Sequence, residues 1–170
     1  MSYSLYNSAI DLAKGSLVSL SQLLKTAEAQ PDASSLLSAR LHGNMLPLTF
    51  QVFMVTDLSQ KIAAHTTGTE PLTLDANLTT FESMQARIQQ VLEIIGKVDE
   101  KLVNSLETET RTVSLDPATK VQLKSRDYVN GYALPNVFFH LSMAYAILRK
   151  ENVPIGKRDY LGSFLGKYLA

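Results

Sequence analysis

The apolar segment over residues 136 to 150 carries two polar side chains, Asn136 and His140, four residues apart. On a helix that spacing puts both on one face. A buried imidazole needs a partner for its N–H and favours the neutral form. Two readings of His140 stand side by side. It is a hydrogen-bonded core histidine, or a site residue in a pocket of the kind that helical bundles build from inward polar groups. Asp57 and Gln51 pose the same question. Asp57 follows Val52, Phe53, Met54 and Val55, and a carboxylate beside a buried stripe needs a cation, a metal or a donor. A salt linkage to Arg40 or Lys61 at the edge of the stripe would satisfy it. So would His140 across a helix–helix seam, where the pair could coordinate a divalent metal or act as an oriented acid–base couple. On that second reading His140 and Asp57 are the catalytic or metal-binding pair. Asn136 and Gln51 are then polar ligand contacts, and Arg40 reaches an anionic ligand. The plainer reading of Arg40 is an exposed or structural arginine.

The other histidines read more simply. His65 falls near the end of the same segment as Asp57, where an exposed imidazole can interact with a helix C-terminus. His42 lies in the preceding loop and suits a surface role. Lys157-Arg158-Asp159-Tyr160 reads as a solvated turn, and Phe138, Phe139 and Tyr145 as core.

Other chemistries lack their motifs. No Walker loop, Rossmann glycine fingerprint, G-x-S-x-G elbow or H-E-x-x-H helix occurs, and the eight glycines do not cluster. With no cysteine there is no disulfide, thiolate zinc site or Cys nucleophile. Lys+Arg and Asp+Glu number 16 each, so no electrostatic footprint for nucleic acid or anionic lipid is expected. Asp11 and Lys14 interrupt the apolar N-terminal stretch, which reads as a helix rather than a signal peptide. No segment has the uninterrupted length needed to span a membrane. A cytoplasmic location is the default expectation.

The elements that must position these residues follow from periodicity. In a chain of 170 residues, 45% hydrophobic, one domain over 1–170 is expected. Ile10, Ala13, Leu17, Leu20, Leu24 and Ala27 form one stripe and predict a first helix over about 5 to 29, ended by Pro31. Leu48, Val52, Val55, Leu58 and Ile62 predict a second over about 45 to 65, with Asn44 as N-cap and Pro47 in its first turn. Phe81, Met84, Ile88, Val91, Ile95, Val98 and Leu102 predict a third over about 76 to 106, capped by Thr73 or Asp75. Residues 108 to 126 alternate polar and apolar around Asp116-Pro117-Ala118-Thr119, which predicts a small β-hairpin or extended loop across one end of the bundle. Asp127 can cap a first turn of a fourth helix, which Pro135 then restarts or kinks. The tail, 156 to 170, packs back or on a second subunit of a homodimer. Four such helices with short connections favour an all-α four-helix bundle.

Three stretches carry a family resemblance. The first is Ala39-Arg40-Leu41 with Met45-Leu46-Pro47-Leu48 and Gln51-Val52, continuing to Asp57. The second is Leu134-Pro135-Asn136-Val137-Phe138-Phe139-His140, running on to Ala144-Tyr145-Ala146-Ile147-Leu148-Arg149. The third is Gly156-Lys157-Arg158-Asp159-Tyr160-Leu161-Gly162. Together with the first helix they resemble the domain-of-unknown-function family DUF1993, grouped with the DinB/YfiT-like superfamily. The resemblance implies an up-down-down-up four-helix bundle. It also implies the superfamily's divalent metal, often nickel or zinc, held by one histidine of the second helix and two of the fourth. Some members are thiol-dependent S-transferases or isomerases that use mycothiol or bacillithiol. This chain departs from the three-histidine pattern. Asn136 and His140 keep the spacing on the fourth helix with one histidine replaced by an amide, and the second helix offers Gln51 or Asp57. An amide is a weak ligand for such metals. Either the metal site has changed its ligands, or the pocket works without metal.

Two functions are expected from these residues. One is a small-molecule enzyme for isomerisation, dehydration or group transfer, with His140 as acid/base and Asp57 as its partner. The other is a non-catalytic ligand-binding or dimerisation module.

Overall fold

A computed structural model describes residues 4–115 and 118–169. The chain is mostly helical, with one small antiparallel sheet. A helix opening at residue 5 widens into a π turn over Asn7–Asp11 and continues as α1 (Leu12–Glu28). The expected stripe of α1 is buried throughout, from Ile10 to Ala27. Each fully buried leucine of that stripe contributes about 1.5–3 kcal/mol of transfer free energy. A single turn, α2 (Ala33–Leu36), follows.

The second long helix, α3 (Leu48–Thr67), starts later than expected. Pro47 is its N-cap, not a residue of its first turn, and Asn44 instead bonds His42. The cause is local: a residue before proline is pushed out of the helical region, so Leu46 cannot be helical. α3 ends at Gly68, whose φ of 76° is the left-handed conformation that glycine adopts without penalty.

The third stripe is divided between α4 (Phe81–Gly96) and α5 (Glu100–Ser105). Thr80, not Thr73 or Asp75, caps α4 through a reciprocal box with Ser83. Asp75 instead folds an Asx turn onto the Asn77 amide. The break has a cause too, because Asp99 accepts from the Leu102 amide and caps a new helix. The hairpin is β1 (Thr110–Ser114) against β2 (Lys120–Lys124), with Val113 opposite Val121. Of the expected turn, Asp116 and Pro117 lie outside the described residues.

The last long helix begins as α6 (Ser125–Tyr128), widens to a π turn over Val129–Ala133, and runs on as α7 (Leu134–Lys150). Pro135 can donate no amide hydrogen, and its ring would crowd the carbonyl four residues back. The wide turn just before it removes that conflict. α7 is less enclosed than its composition suggests. Val137, Leu141, Ala144, Ile147 and Leu148 are buried, but Phe139, expected in the core, is 52% exposed.

α7 packs chiefly on α3, and α1 packs on α7, α4 and the tail helix α8 (Lys157–Leu165). The run Lys157 to Tyr160 is therefore the first turn of a helix rather than a free turn. The tail packs back on its own chain: Ser19 Oγ donates to the Tyr160 carbonyl (2.9 Å), Ser163 Oγ to the Gly15 carbonyl (2.8 Å), and Phe164 lies over Gly15. Tyr132 Oη holds the hairpin by donating to the Leu115 carbonyl at 2.7 Å. No described helix is long and apolar enough to cross a membrane.

Candidate functional site

Gln51 sits in the first turn of α3 with its side chain buried. Its Nε2 donates to the Leu46 carbonyl at 2.9 Å, which fixes the orientation of the amide. The amide oxygen then faces His140 Nδ1 at 2.8 Å. An amide oxygen only accepts, so Nδ1 carries the hydrogen and Nε2 is left with its lone pair. Nε2 has no partner among the described residues and is not sealed from solvent. Burial pushes the His140 pKa down to about 4, so the ring is neutral near pH 7. Phe50 and Phe139 meet it edge-to-face, with ring centres 6.1 and 5.2 Å away.

The remaining expected site residues are engaged with other partners. Asn136 shares the His140 face but donates to the Tyr132 carbonyl of its own helix at 3.2 Å. Arg40 is exposed and structural. Its guanidinium donates to the Met45 carbonyl (2.6 Å), and its own carbonyl accepts from Lys150 Nζ (2.9 Å), which ties the loop before α3 to the end of α7. Asp57 is buried and pairs with Lys61 Nζ at 2.6 Å while accepting from Gln60 Nε2 at 3.2 Å. No hydrogen bond joins it to His140. Six residues along a helix turn a side chain roughly 120° away from its starting direction, so Asp57 and Gln51 cannot share a face. The salt linkage with Lys61 accounts for Asp57, and the acid–base couple with His140 is not formed.

His42 is exposed, with Nδ1 2.8 Å from Asn44 Oδ1. His65 is not the exposed terminal imidazole expected of it. It is partly buried, edge-to-face with Tyr128 at 4.2 Å, and burial followed by the Arg111 charge pushes its pKa down. A neutral ring supplies no positive charge to the end of α3.

A divalent metal does not fit these residues. At the His140 position the donors are one imidazole and two neutral amides, whereas nickel and zinc sites are built from histidine, thiolate and carboxylate ligands. Among the described residues no three His, Asp or Glu side chains converge. The aromatic flanks of His140 were not singled out by sequence reasoning. The signal available was Phe139 itself, next to His140 and on a different helical face.

Comparison with known proteins agrees with the fold. The family model described as "Domain of unknown function (DUF1993)" matches residues 5–161. The crystal structure of a DinB family member from Shewanella denitrificans is similar to the chain, with 28% identity and a TM-score of 0.83 over 93% of this chain and 92% of that one. No curated protein matches the chain.

Proposed function

We propose, from the premise that this chain belongs to the DUF1993 family, that it binds a small, largely apolar molecule through His140. The scaffold is read as a DinB-like four-helix bundle running up-down-down-up, and the site as the seam between α3 and α7. The observation that carries the reading is the Gln51–His140 hydrogen bond. It holds the ring in the tautomer whose Nε2 is a bare acceptor, and that atom is not sealed from solvent. A hydroxyl or N–H on the ligand would donate to it. The edges of Phe50 and Phe139 would enclose an apolar or aromatic body.

Binding is favoured over acid–base catalysis for two physical reasons. An imidazole whose pKa lies far below neutrality is a weak base, and effective proton transfer asks for a pKa near the working pH. Behind the ring stands a neutral amide, which orients an imidazole but stabilises a developing imidazolium less than a carboxylate would.

Phenol and anisole make the test, since they differ in the donor. In amide NMR spectra phenol should shift Phe50, Gln51 and Phe139 saturably, with anisole weaker by on the order of tenfold, the cost of an unmade hydrogen bond. His140→Ala should abolish the difference. Equal binding of both probes to the parent protein would remove the basis for the proposal.

A further inference from the structure

Asp57, Lys61 and His65 recur every four residues, so they share a face of α3, and that face looks onto Tyr128 rather than His140. Lys61 and His65 line a cleft of about 220 Å³ together with Glu70, Ser114 of β1 and Tyr128. His65 lies fourteen residues beyond Gln51, roughly 21 Å further along the helix axis. Neither this cleft nor a neighbouring one between α3 and α5 is lined by His140, Gln51 or Asn136. The cleft is therefore independent of the site described above.

Two of its polar side chains, Tyr128 and His65, carry a polar atom with no hydrogen-bond partner among the described residues. Tyr128 is 3% exposed, yet its hydroxyl has no partner among the described residues and is not sealed, so it opens to the cleft. Burial, then Tyr132 and Asp57, push its pKa up, which keeps the phenol protonated and donating. Lys61 stands on one wall, held in place by Asp57. The guanidinium of Arg111 of β1 lies against Gly68 at the end of α3, outside the cleft lining, and its charge helps push the His65 pKa down. The Arg111 side chain has no hydrogen bond or ion pair among the described residues, and its Nε is sealed from solvent. A guanidinium edge buried without an acceptor is uncommon, because its desolvation is not repaid. Of the nearby carboxylates, Asp57 is engaged by Lys61, and Glu70 is exposed at the rim.

We propose that the cleft between α3 and β1 binds a compact anion, a carboxylate or phosphate, whose oxygens accept from Tyr128 Oη and Lys61 Nζ in the field of Arg111. The volume suits a group of few atoms, since drug-sized sites run from about 300 to 1,000 Å³. Each carboxylate or phosphate oxygen has several lone pairs, which matches a set of convergent donors.

Acetate, inorganic phosphate and neutral acetamide, titrated into the full chain at constant ionic strength, test this. At least one anion should give saturable amide shifts at His65, Thr112 and Tyr128, and acetamide should not. A response to acetate alone assigns a carboxylate, and to phosphate alone a phosphate. Tyr128→Phe should weaken the anion by on the order of tenfold, as expected for a lost hydrogen bond to a charged group. Arg111→Met should weaken it as well, and supplies the test if Tyr128→Phe does not fold. His140→Ala should leave binding unchanged. No saturation with either anion, an equal response to acetamide, or full affinity in folded Tyr128→Phe or Arg111→Met protein would overturn the proposal.

Discussion

His140 Nδ1 donates to Gln51 Oε1 across 2.8 Å, joining α7 to the first turn of α3. The bond has a direction because Gln51 is itself held by the Leu46 carbonyl. A buried glutamine so fixed decides which ring nitrogen of its neighbour is free. Gln51 is thus a positioning residue, and His140 Nε2 is the atom available to a ligand.

Gln51→Leu should uncouple the pair. It leaves the His140 Nδ1–H and the Leu46 carbonyl without partners, at a cost of about 1–3 kcal/mol. The denaturant midpoint should fall, and the preference for phenol over anisole should shrink as the ring becomes free to change tautomer. An unchanged midpoint together with an unchanged preference would show that Gln51 positions nothing.

Stability should fall on mild acidification. In the unfolded chain a histidine titrates near about 6.5, whereas folded His140 is pushed down to about 4. Between those values the unfolded state binds more protons, so the contribution is complete above the unfolded pKa and is lost as pH drops toward the folded one. His65, also pushed down, acts in the same direction. Urea midpoints across that window should decline in the parent and less steeply in His140→Asn. Parallel profiles would show that His140 is not shifted in the folded protein.

Asp57→Asn should separate the two ends of α3. It releases Lys61 and removes a charge that raises the Tyr128 pKa. The tyrosine should then titrate at lower pH, while the His140 ring signals stay where they were. Movement of the His140 titration would revive the couple that the geometry denies.

Gly68→Ala should destabilise by on the order of 1 kcal/mol or more from backbone strain alone, because φ at this position is 76°. A new Cβ would also come within 2.5 Å of Arg111 Nη2. Chemical denaturation would measure the loss, and hairpin amide shifts would report displacement of Arg111. No loss of stability would mean that the turn relaxes freely.

Much of the fold is legible in the sequence because burial imposes a period. Leu48, Val52, Val55, Leu58 and Ile62 are all buried, as their spacing requires. The period is blind to interruptions that preserve it. Val98 and Leu102 continue the third stripe, yet Asp99 caps a separate helix between them, and Leu102 is 41% exposed. The site was legible as residues and not as pairs. Gln51 and His140 are 89 positions apart, and their meeting depends on how α3 and α7 are rotated against each other. Asp57 had a nearer answer in Lys61, one helical turn away. The face it shares with Lys61 and His65 could have been read from spacing, but its partner Tyr128 could not.

The most direct check is long-range ¹H–¹⁵N NMR of the His140 ring, recorded with and without phenol. The ring should be the neutral Nδ1–H tautomer near pH 7, with the resonance of unprotonated Nε2 moving as phenol donates to it. A ring protonated at Nε2, or an Nε2 signal indifferent to saturating phenol, would contradict this assignment.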